Sequence, residues 1–355
     1  MKRIILTGGG TAGHVTPNIA LLPGLKKSGF DIKYIGSYEG MERKLIENEN
    51  ISYSGIATGK FRRYFDVKNF TDPFRVLKGY HEARKIIKEY KPDVLFSKGG
   101  FVAVPVVLAA KHYKVPIIIH ESDMTPGLAN KLCLSSATKI CCNFPETVKH
   151  LPKDKAVLSG SPIREELLTG SRSSGLAFTG LTGKKPILLM MGGSMGSKVV
   201  NAALRGGLNT ILKEFDVVHL CGKGNVDTSI EKEGYKQYEY ISHELKDLMA
   251  MADIVLSRAG ANAICELLAL QKPNVLVPLS AAVSRGDQIL NAKSFEKQGF
   301  SYVIQEEELT SESLYEAIKK TYENKEQYIS AMKNSSQSSG VDIVLELIND
   351  LANNK

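Results

Sequence analysis

The 355-residue chain has few cysteines and no pairing pattern among them. Cys133, Cys141, Cys142, Cys221 and Cys265 form no C-x-x-C. An odd number without a framework argues against a disulfide scaffold and for reduced thiols in a cytosolic protein. Neither H-E-x-x-H nor any Cys/His metal spacing occurs, so no metal site is expected. An Asp-x-Asp pair of the kind that holds a metal–diphosphate complex is also lacking. A diphosphate bound by this chain must then be neutralised by loops, helix ends and Arg or Lys. No run approaches the ~18–20 apolar residues of a membrane span. The opening Met1-Lys2-Arg3-Ile4-Ile5-Leu6 has a basic end, but its apolar core is too short for a signal peptide, so it reads as structural.

What is present is an ordinary globular composition with a repeated strand–helix alternation. Apolar runs predict strands near 3–7, 32–35, 94–97, 116–120 and 139–142, then near 187–191, 216–220, 254–257, 274–277 and 302–304. Helical patterns lie between them, such as 18–28, 76–90, 199–215 and 287–298. Alternating elements of this kind make parallel sheets covered by helices on both faces. Gly160-Ser161-Pro162 and the weakly periodic stretch 169–185 break the pattern, which then restarts. The expected organisation is α/β, with two Rossmann-like, doubly wound domains, 1–163 and 164–340, facing a cleft. Val341, Val344, Leu345, Ile348 and Leu351 recur at helical spacing, and the helix 341–355 is expected to pack back across the gap on the first domain.

Two glycine loops carry the chemistry. Strand, glycine turn and helix occur first at Thr7-Gly8-Gly9-Gly10-Thr11-Ala12-Gly13-His14, and again at Gly192-Gly193-Ser194-Met195-Gly196-Ser197. Such turns offer backbone N–H groups at a positive helix end, where phosphate binds. Gly8, Gly10 and Gly13 satisfy G-x-G-x-x-G, but the second strand ends Tyr34-Ile35-Gly36-Ser37, without the acid that holds a ribose in NAD enzymes. His14 starts a helix, whose dipole favours the neutral imidazole that a general base requires. Further polar loops follow apolar strands at Ser97-Lys98-Gly99-Gly100, His120-Glu121-Ser122-Asp123, Ser257-Arg258-Ala259-Gly260 and Ser284-Arg285-Gly286-Asp287-Gln288. Taken singly, Lys98 reads as a solvated cation and Glu121 as the partner of a neighbouring one. Residues 60–91 hold ten Lys and Arg against four acids, +6 of the chain's +8, with aromatics interleaved. A solvated basic helix, a nucleic-acid patch and a membrane-surface patch all fit that segment.

Together these residues resemble the MurG family of bacterial UDP-N-acetylglucosamine transferases of peptidoglycan synthesis. The resemblance rests on 9–14, 97–100, 120–121, 127–131 and 192–196, and on Arg258-Ala259-Gly260-Ala261 with Glu266. It implies a GT-B fold and an inverting, metal-independent transfer of N-acetylglucosamine from UDP to the lipid-linked acceptor lipid I. No cofactor is implied. The setting is the cytoplasmic face of the cell membrane, with an anionic inner leaflet as partner and no nucleic acid. Carried over, Ser194 meets the donor diphosphate, Arg164 and the backbone at Ile241 hold the uracil, and Ala261, Asn262 and Ala263 supply a helix start. Glu266 takes the ribose and Gln288 the sugar hydroxyls, while Thr11, Ala12 and Gly13 close on the sugar and the acceptor diphosphate. The base is His14, with Glu121 second. Asp123 stands where many members have Asn, which accepts and donates, whereas an ionised Asp only accepts. The membrane patch is Phe70, Phe74, Arg75, Leu77, Lys78, Arg84 and Lys85. Alternatives are another GT-B UDP-sugar enzyme, an epimerase or a glycolipid synthase, or a non-catalytic UDP-sugar or lipid sensor.

Overall fold

The computed structural model describes residues 1–59, 68–193, 195–284, 286–335 and 340–354. It divides into two units, Met1–Arg164 with Ser339–Lys355, and Glu165–Ser338. The first unit holds β1 (Lys2–Thr7), β2 (Phe30–Ser37), β3 (Ser52–Ile56), β4 (Val94–Ser97), β5 (Ile117–Glu121), β6 (Lys139–Cys142) and β7 (Ala156–Leu158). They form one parallel sheet in the order β3-β2-β1-β4-β5-β6-β7. The second unit holds β8 (Ile187–Met191), β9 (Asp216–Leu220), β10 (Tyr235–Tyr238), β11 (Ile254–Ser257), β12 (Asn274–Leu276) and β13 (Tyr302–Val303). Its parallel order is β10-β9-β8-β11-β12-β13.

The apolar runs arise because both faces of each sheet are covered. In the first unit Ile5, Leu95, Ile117 and Ile119 face one core with Ala83, Ile87 and Val106. Their chain neighbours Ile4, Leu6, Phe96 and Ile118 face the other, with Leu21, Leu22 and Leu25. Strand order reverses between β1 and β4, and again between β8 and β11. Connections leave such a switch point in opposite directions and open a crevice at the carboxyl ends of the strands. Each glycine loop follows the first strand of such a pair.

The central strands lie where the runs placed them; β3, β7 and β10 have no such run. They are edge strands, half solvated, and sequences such as Tyr-Lys-Gln-Tyr in β10 carry little apolar signal. The pattern at 199–215 is two helices, Lys198–Gly206 and Leu208–Glu214, separated at Gly207. The weakly periodic stretch contains the helix Arg172–Thr179, capped by Ser171 and ended by Gly180 at φ +70°. Its buried residues include Gly175 and Thr179, which is why its apolar period is faint. In the basic segment, 60–67 lie outside the described residues, and the helix Lys68–Tyr90 begins earlier than expected.

The helix Gly340–Asn353 belongs to the first unit, where Val344 and Ile348 enter the core beside Leu21 and Leu22. Gly24 makes room for it: a Cβ there would collide with Leu345. Arg164 and Gly340 both fall in the first unit rather than opening and closing the second, as the expected 164–340 had them. All five cysteines are free and buried. Burial pushes the Cys133, Cys141 and Cys142 thiols up to about 12.

Candidate functional site

In the first unit the glycine loop is wired from below. Tyr34 Oη donates to the Gly8 carbonyl at 2.8 Å. Asn18 Nδ2 donates to Tyr34 Oη at 3.1 Å and to the His14 carbonyl at 3.2 Å. The buried Glu42 carboxylate accepts from Ser37 N–H at 3.0 Å, from the Ser37 hydroxyl at 2.5 Å and from Gly10 N–H at 3.3 Å. Gly10 has φ +85°, and a Cβ on it would press into the Phe101 ring at 2.6 Å. The expectation of a bare row of N–H groups needs correction here. The Gly10 N–H is already paired, and the negative charge beside it disfavours a pyrophosphate in the dinucleotide position.

His14 closes the loop in a short 3-10 turn, Ala12–His14, before the helix Thr16–Lys27. Its Nδ1 lies 3.0 Å from the Gly9 carbonyl and 3.3 Å from Thr11 Oγ1. A carbonyl only accepts, so Nδ1 carries the hydrogen and Nε2 keeps the lone pair. Burial holds the imidazole below its usual range. The Gly9 hydrogen bond raises it, Lys98 lowers it, and Asp123 and Glu42 raise it. Thr11 is exposed and Gly13 half-buried; the Ala12 side chain lies outside the described residues.

The loops after β4 and β5 flank this turn. Lys98 is not solvated; it is 1% exposed, and its Nζ donates to His120 Nδ1 at 2.7 Å and to the Ser122 hydroxyl. Glu121 faces N–H donors rather than a cation. Its carboxylate accepts from Asp123 N–H at 3.0 Å, Gly127 N–H at 3.0 Å and Asn130 Nδ2 at 2.8 Å. Burial pushes its carboxyl up, and the Asn130 and Asp123 bonds pull it back. Glu121 therefore ties down the turn that carries the half-buried Asp123, which does not favour its use as a base.

In the second unit the loop after β8 turns through Gly193 and Gly196, at φ +79° and +72°. A Cβ on Gly196 would strike the Cys221 carbonyl, so the loops after β8 and β9 meet backbone to backbone. Ser197 caps the helix Lys198–Gly206 by accepting from Val200 N–H at 3.3 Å. Ser194 lies outside the described residues. Arg258 clasps this region: it donates to Ser197 Oγ at 2.7 Å and to the Val277 and Pro278 carbonyls at 3.1 and 3.2 Å, and pairs with Glu306. After β11 the helix Ala261–Ala269 begins at Gly260 with no side-chain cap. Asn262, Ala263 and Glu266 are half-exposed while Ile264, Cys265 and Leu267 are buried, so Glu266 shares the accessible face with the helix start. Gln288 Oε1 accepts from Leu279 N–H at 3.0 Å. Ile241 is buried in the loop after β10. Arg164, half-buried, closes the first unit.

On the helix Lys68–Tyr90, Phe74 and Leu77 are 74% and 55% exposed, and Arg75, Lys78 and Lys85 are exposed beside them. Arg84 differs from the expected patch: it lies against the Tyr80 and Tyr113 rings, with Nη2 2.9 Å from His112 Nε2. The Phe70 side chain lies outside the described residues. Among the described residues no three or more His, Cys, Asp or Glu side chains are grouped to hold a metal ion.

The sequence signalled the strand-end loops by their glycines, and it gave no role to Asn18, Tyr34, Glu42 or Arg258. Of these only Asn18, a lone polar side chain in the apolar stretch 17–25, carries a local signal.

Residues 4–142 match the model of the glycosyltransferase family 28 N-terminal domain, and residues 187–347 that of its C-terminal domain. A curated protein of Lachnoclostridium phytofermentans is 64% identical over 352 residues, 99% of each chain. One of Clostridium botulinum is 59% identical over 98% of this chain and 99% of its own. Both are named UDP-N-acetylglucosamine–N-acetylmuramyl-(pentapeptide) pyrophosphoryl-undecaprenol N-acetylglucosamine transferase. The crystal structure of Acinetobacter baumannii MurG superposes with a TM-score of 0.79 at 26% identity, covering 99% of this chain and 100% of that one. With both family domains in order and this identity along its whole length, the chain belongs to glycosyltransferase family 28, in its MurG branch, and has the GT-B fold.

Proposed function

We infer that the chain transfers N-acetylglucosamine from UDP-N-acetylglucosamine to the muramoyl 4-hydroxyl of undecaprenyl-diphosphate-linked N-acetylmuramoyl-pentapeptide, converting lipid I to lipid II with inversion. The observation that carries this is the full-length match to relatives bearing that activity in their names. Two switch-point glycine loops, one in each unit, support it.

The donor's diphosphate and ribose are assigned to the second unit. The uncapped start of Ala261–Ala269, at Ala261, Asn262 and Ala263, suits the diphosphate, together with Ser194. Glu266, on the same face, suits the ribose. Arg164 and the Ile241 backbone are assigned to the uracil. Gln288 turns its oxygen to Leu279, so its amide nitrogen is the end that reaches a sugar hydroxyl. Thr11, Ala12 and Gly13 are assigned to the sugar and the acceptor diphosphate. Asp123 accepts from a sugar hydroxyl without donating.

His14 removes the proton from the acceptor hydroxyl through Nε2, and that oxygen attacks the anomeric carbon as UDP leaves. The Gly9 carbonyl fixes the tautomer this requires. Helix N-termini stabilise the charge growing on the diphosphate. Glu121 positions the turn of Asp123 rather than acting as base. No helix among the described residues is long and apolar enough to cross a membrane. The exposed Phe74 and Leu77, with Arg75, Lys78 and Lys85, instead suit the surface of an anionic membrane on its cytoplasmic side.

Incubation with UDP-N-acetylglucosamine and a short-chain lipid I analogue tests the reading. UDP release with a β-linked disaccharide product is expected; binding of both substrates without turnover rejects it. His14→Ala should lose ~10²–10⁴-fold in turnover with donor binding retained. Near-normal turnover removes His14 as base.

A further inference from the structure

Lys98 takes no part in the mechanism above, yet its ammonium is buried at the end of β4. An ammonium withdrawn from water is costly unless its protons are engaged, so a lysine kept there calls for a reason. One proton goes to His120 Nδ1 at 2.7 Å and another to the Ser122 hydroxyl. His120 Nε2 lies 2.9 Å from the Gly160 carbonyl, which only accepts. Nε2 therefore carries the hydrogen, and Nδ1 offers its lone pair to the ammonium. Burial, and then the Lys98 charge, hold His120 well below its usual range, against the pull of the Gly160 bond. Lys98 and Glu121 thus grip the Ser122-Asp123 turn from two sides. Lys98 also borders the first glycine loop: a Cβ on Gly8 would sit 3.3 Å from Lys98 Cβ, and one on Gly100 would sit 3.0 Å from His14 Nδ1.

We propose that Lys98 is a positioning residue for the transfer reaction: its ammonium holds the turn that presents Asp123 and stands as a fixed positive charge toward His14, keeping that imidazole ready to accept a proton. The proposal rests on the assignment of His14 as base. The charged groups acting on His14 are Lys98 from β4, Asp123 from the loop after β5 and Glu42 from the helix Met41–Asn48. The two carboxylates favour the imidazolium and Lys98 opposes them. Without the Lys98 charge His14 titrates at higher pH, and the fraction available as base near neutrality falls.

Lys98→Gln keeps a donor for Ser122 but removes the charge; Lys98→Arg keeps the charge. The readouts are the acid limb of the kcat/KM–pH profile and the His14 titration followed by NMR on the full chain. In Lys98→Gln both should move to higher pH together, on the order of one unit, a spread typical of folded environments. In Lys98→Arg both should stay near the wild-type position. If Lys98→Gln lowers kcat with limb and titration unmoved, Lys98 is only structural and the proposal is overturned. A shifted titration with an unshifted limb supports the charge relation and removes His14 as base, which separates the two failures. Should the Lys98 variants not fold, Ser122→Ala tests the grip alone. Its expected result is a raised donor KM with an unmoved limb, and an unchanged KM overturns the positioning role.

Discussion

Glu42 gives the sharpest test of how the first glycine loop is held. Its carboxylate is fully buried and serves two backbone N–H groups, those of Ser37 and Gly10, and one hydroxyl, that of Ser37. A Cβ on Gly9 would lie 2.7 Å from the Glu42 carboxyl carbon, so loop and side chain are in close contact. Glu42→Ala leaves both N–H groups without an acceptor, while the hydroxyl can rotate to another. A buried donor left unpaired costs about 1–3 kcal/mol; Ser37 is half-buried but Gly10 is exposed and its N–H can turn to water, so the sum is about 1–3 kcal/mol. The Gly10 bond is long, which favours the lower half of that range. Glu42→Gln keeps one oxygen for Ser37 but turns an amide donor toward the exposed Gly10 N–H, so one bond is lost and the cost is about 1 kcal/mol or less. The stability order is wild type, then Gln, then Ala. Urea unfolding of the full chain reads it, with hydrogen exchange at the Gly10 and Ser37 amides locating the loss. The first unit's transition must be separated from the second's, because a two-domain chain need not unfold in one step. If both variants lie within about 0.5 kcal/mol of wild type, with unchanged exchange at these amides, the carboxylate does not brace the loop.

Acid should weaken the fold through its buried histidines. His14 and His120 are held below their usual range, and His219 is pushed down to about 3, all chiefly by burial. Each is neutral when folded but takes a proton near pH ~6.5 when unfolded. Their contribution is therefore present above that pH and is lost below it, at up to ~1.4 kcal/mol per pH unit for each histidine. Glu121, held up by burial, works the other way as pH approaches its raised value. Urea midpoints at neutral pH and near pH ~5.5 check this, and equal midpoints refute it. For the exposed patch, Phe74→Ser and Leu77→Ser with Arg75, Lys78 and Lys85 changed to Gln should weaken binding to anionic vesicles, most at low salt. Unfolding should stay within about 0.5 kcal/mol of wild type, because these side chains are exposed. Unchanged vesicle binding rejects the membrane reading. Arg84 is left intact because it packs on Tyr80 and Tyr113.

What the sequence revealed followed from burial. The central strands are covered on both faces, so β1, β4, β5, β8 and β11 read as apolar runs, whereas the edge strands β3, β7 and β10 need only half a buried surface. The glycine loops were legible because backbone that turns at positive φ, or meets backbone as Gly196 meets Cys221, admits little else. The side chains that hold those loops were not. Lys98 and Glu121 each look like surface charges, and only the pairing of β4 with β5 brings Lys98 to His120. Glu42 sits in an amphipathic helix among Arg43, Lys44 and Glu47, where nothing local separates a buried carboxylate from an exposed one. Such roles are set by tertiary neighbours rather than by periodicity.

The return of the helix Gly340–Asn353 to the first unit has a consequence for how the protein is made. Val344 and Ile348 complete the core around Leu21, Leu22 and Phe96, yet they leave the ribosome long after those residues. The second unit is an insertion that finishes synthesis while the first still lacks a wall of its core. During translation the amino-terminal sheet must wait with the apolar face beneath Leu21 and Gly24 open to water. A nonsense mutation ahead of the helix Gly340–Asn353 therefore injures the part of the molecule that was translated first.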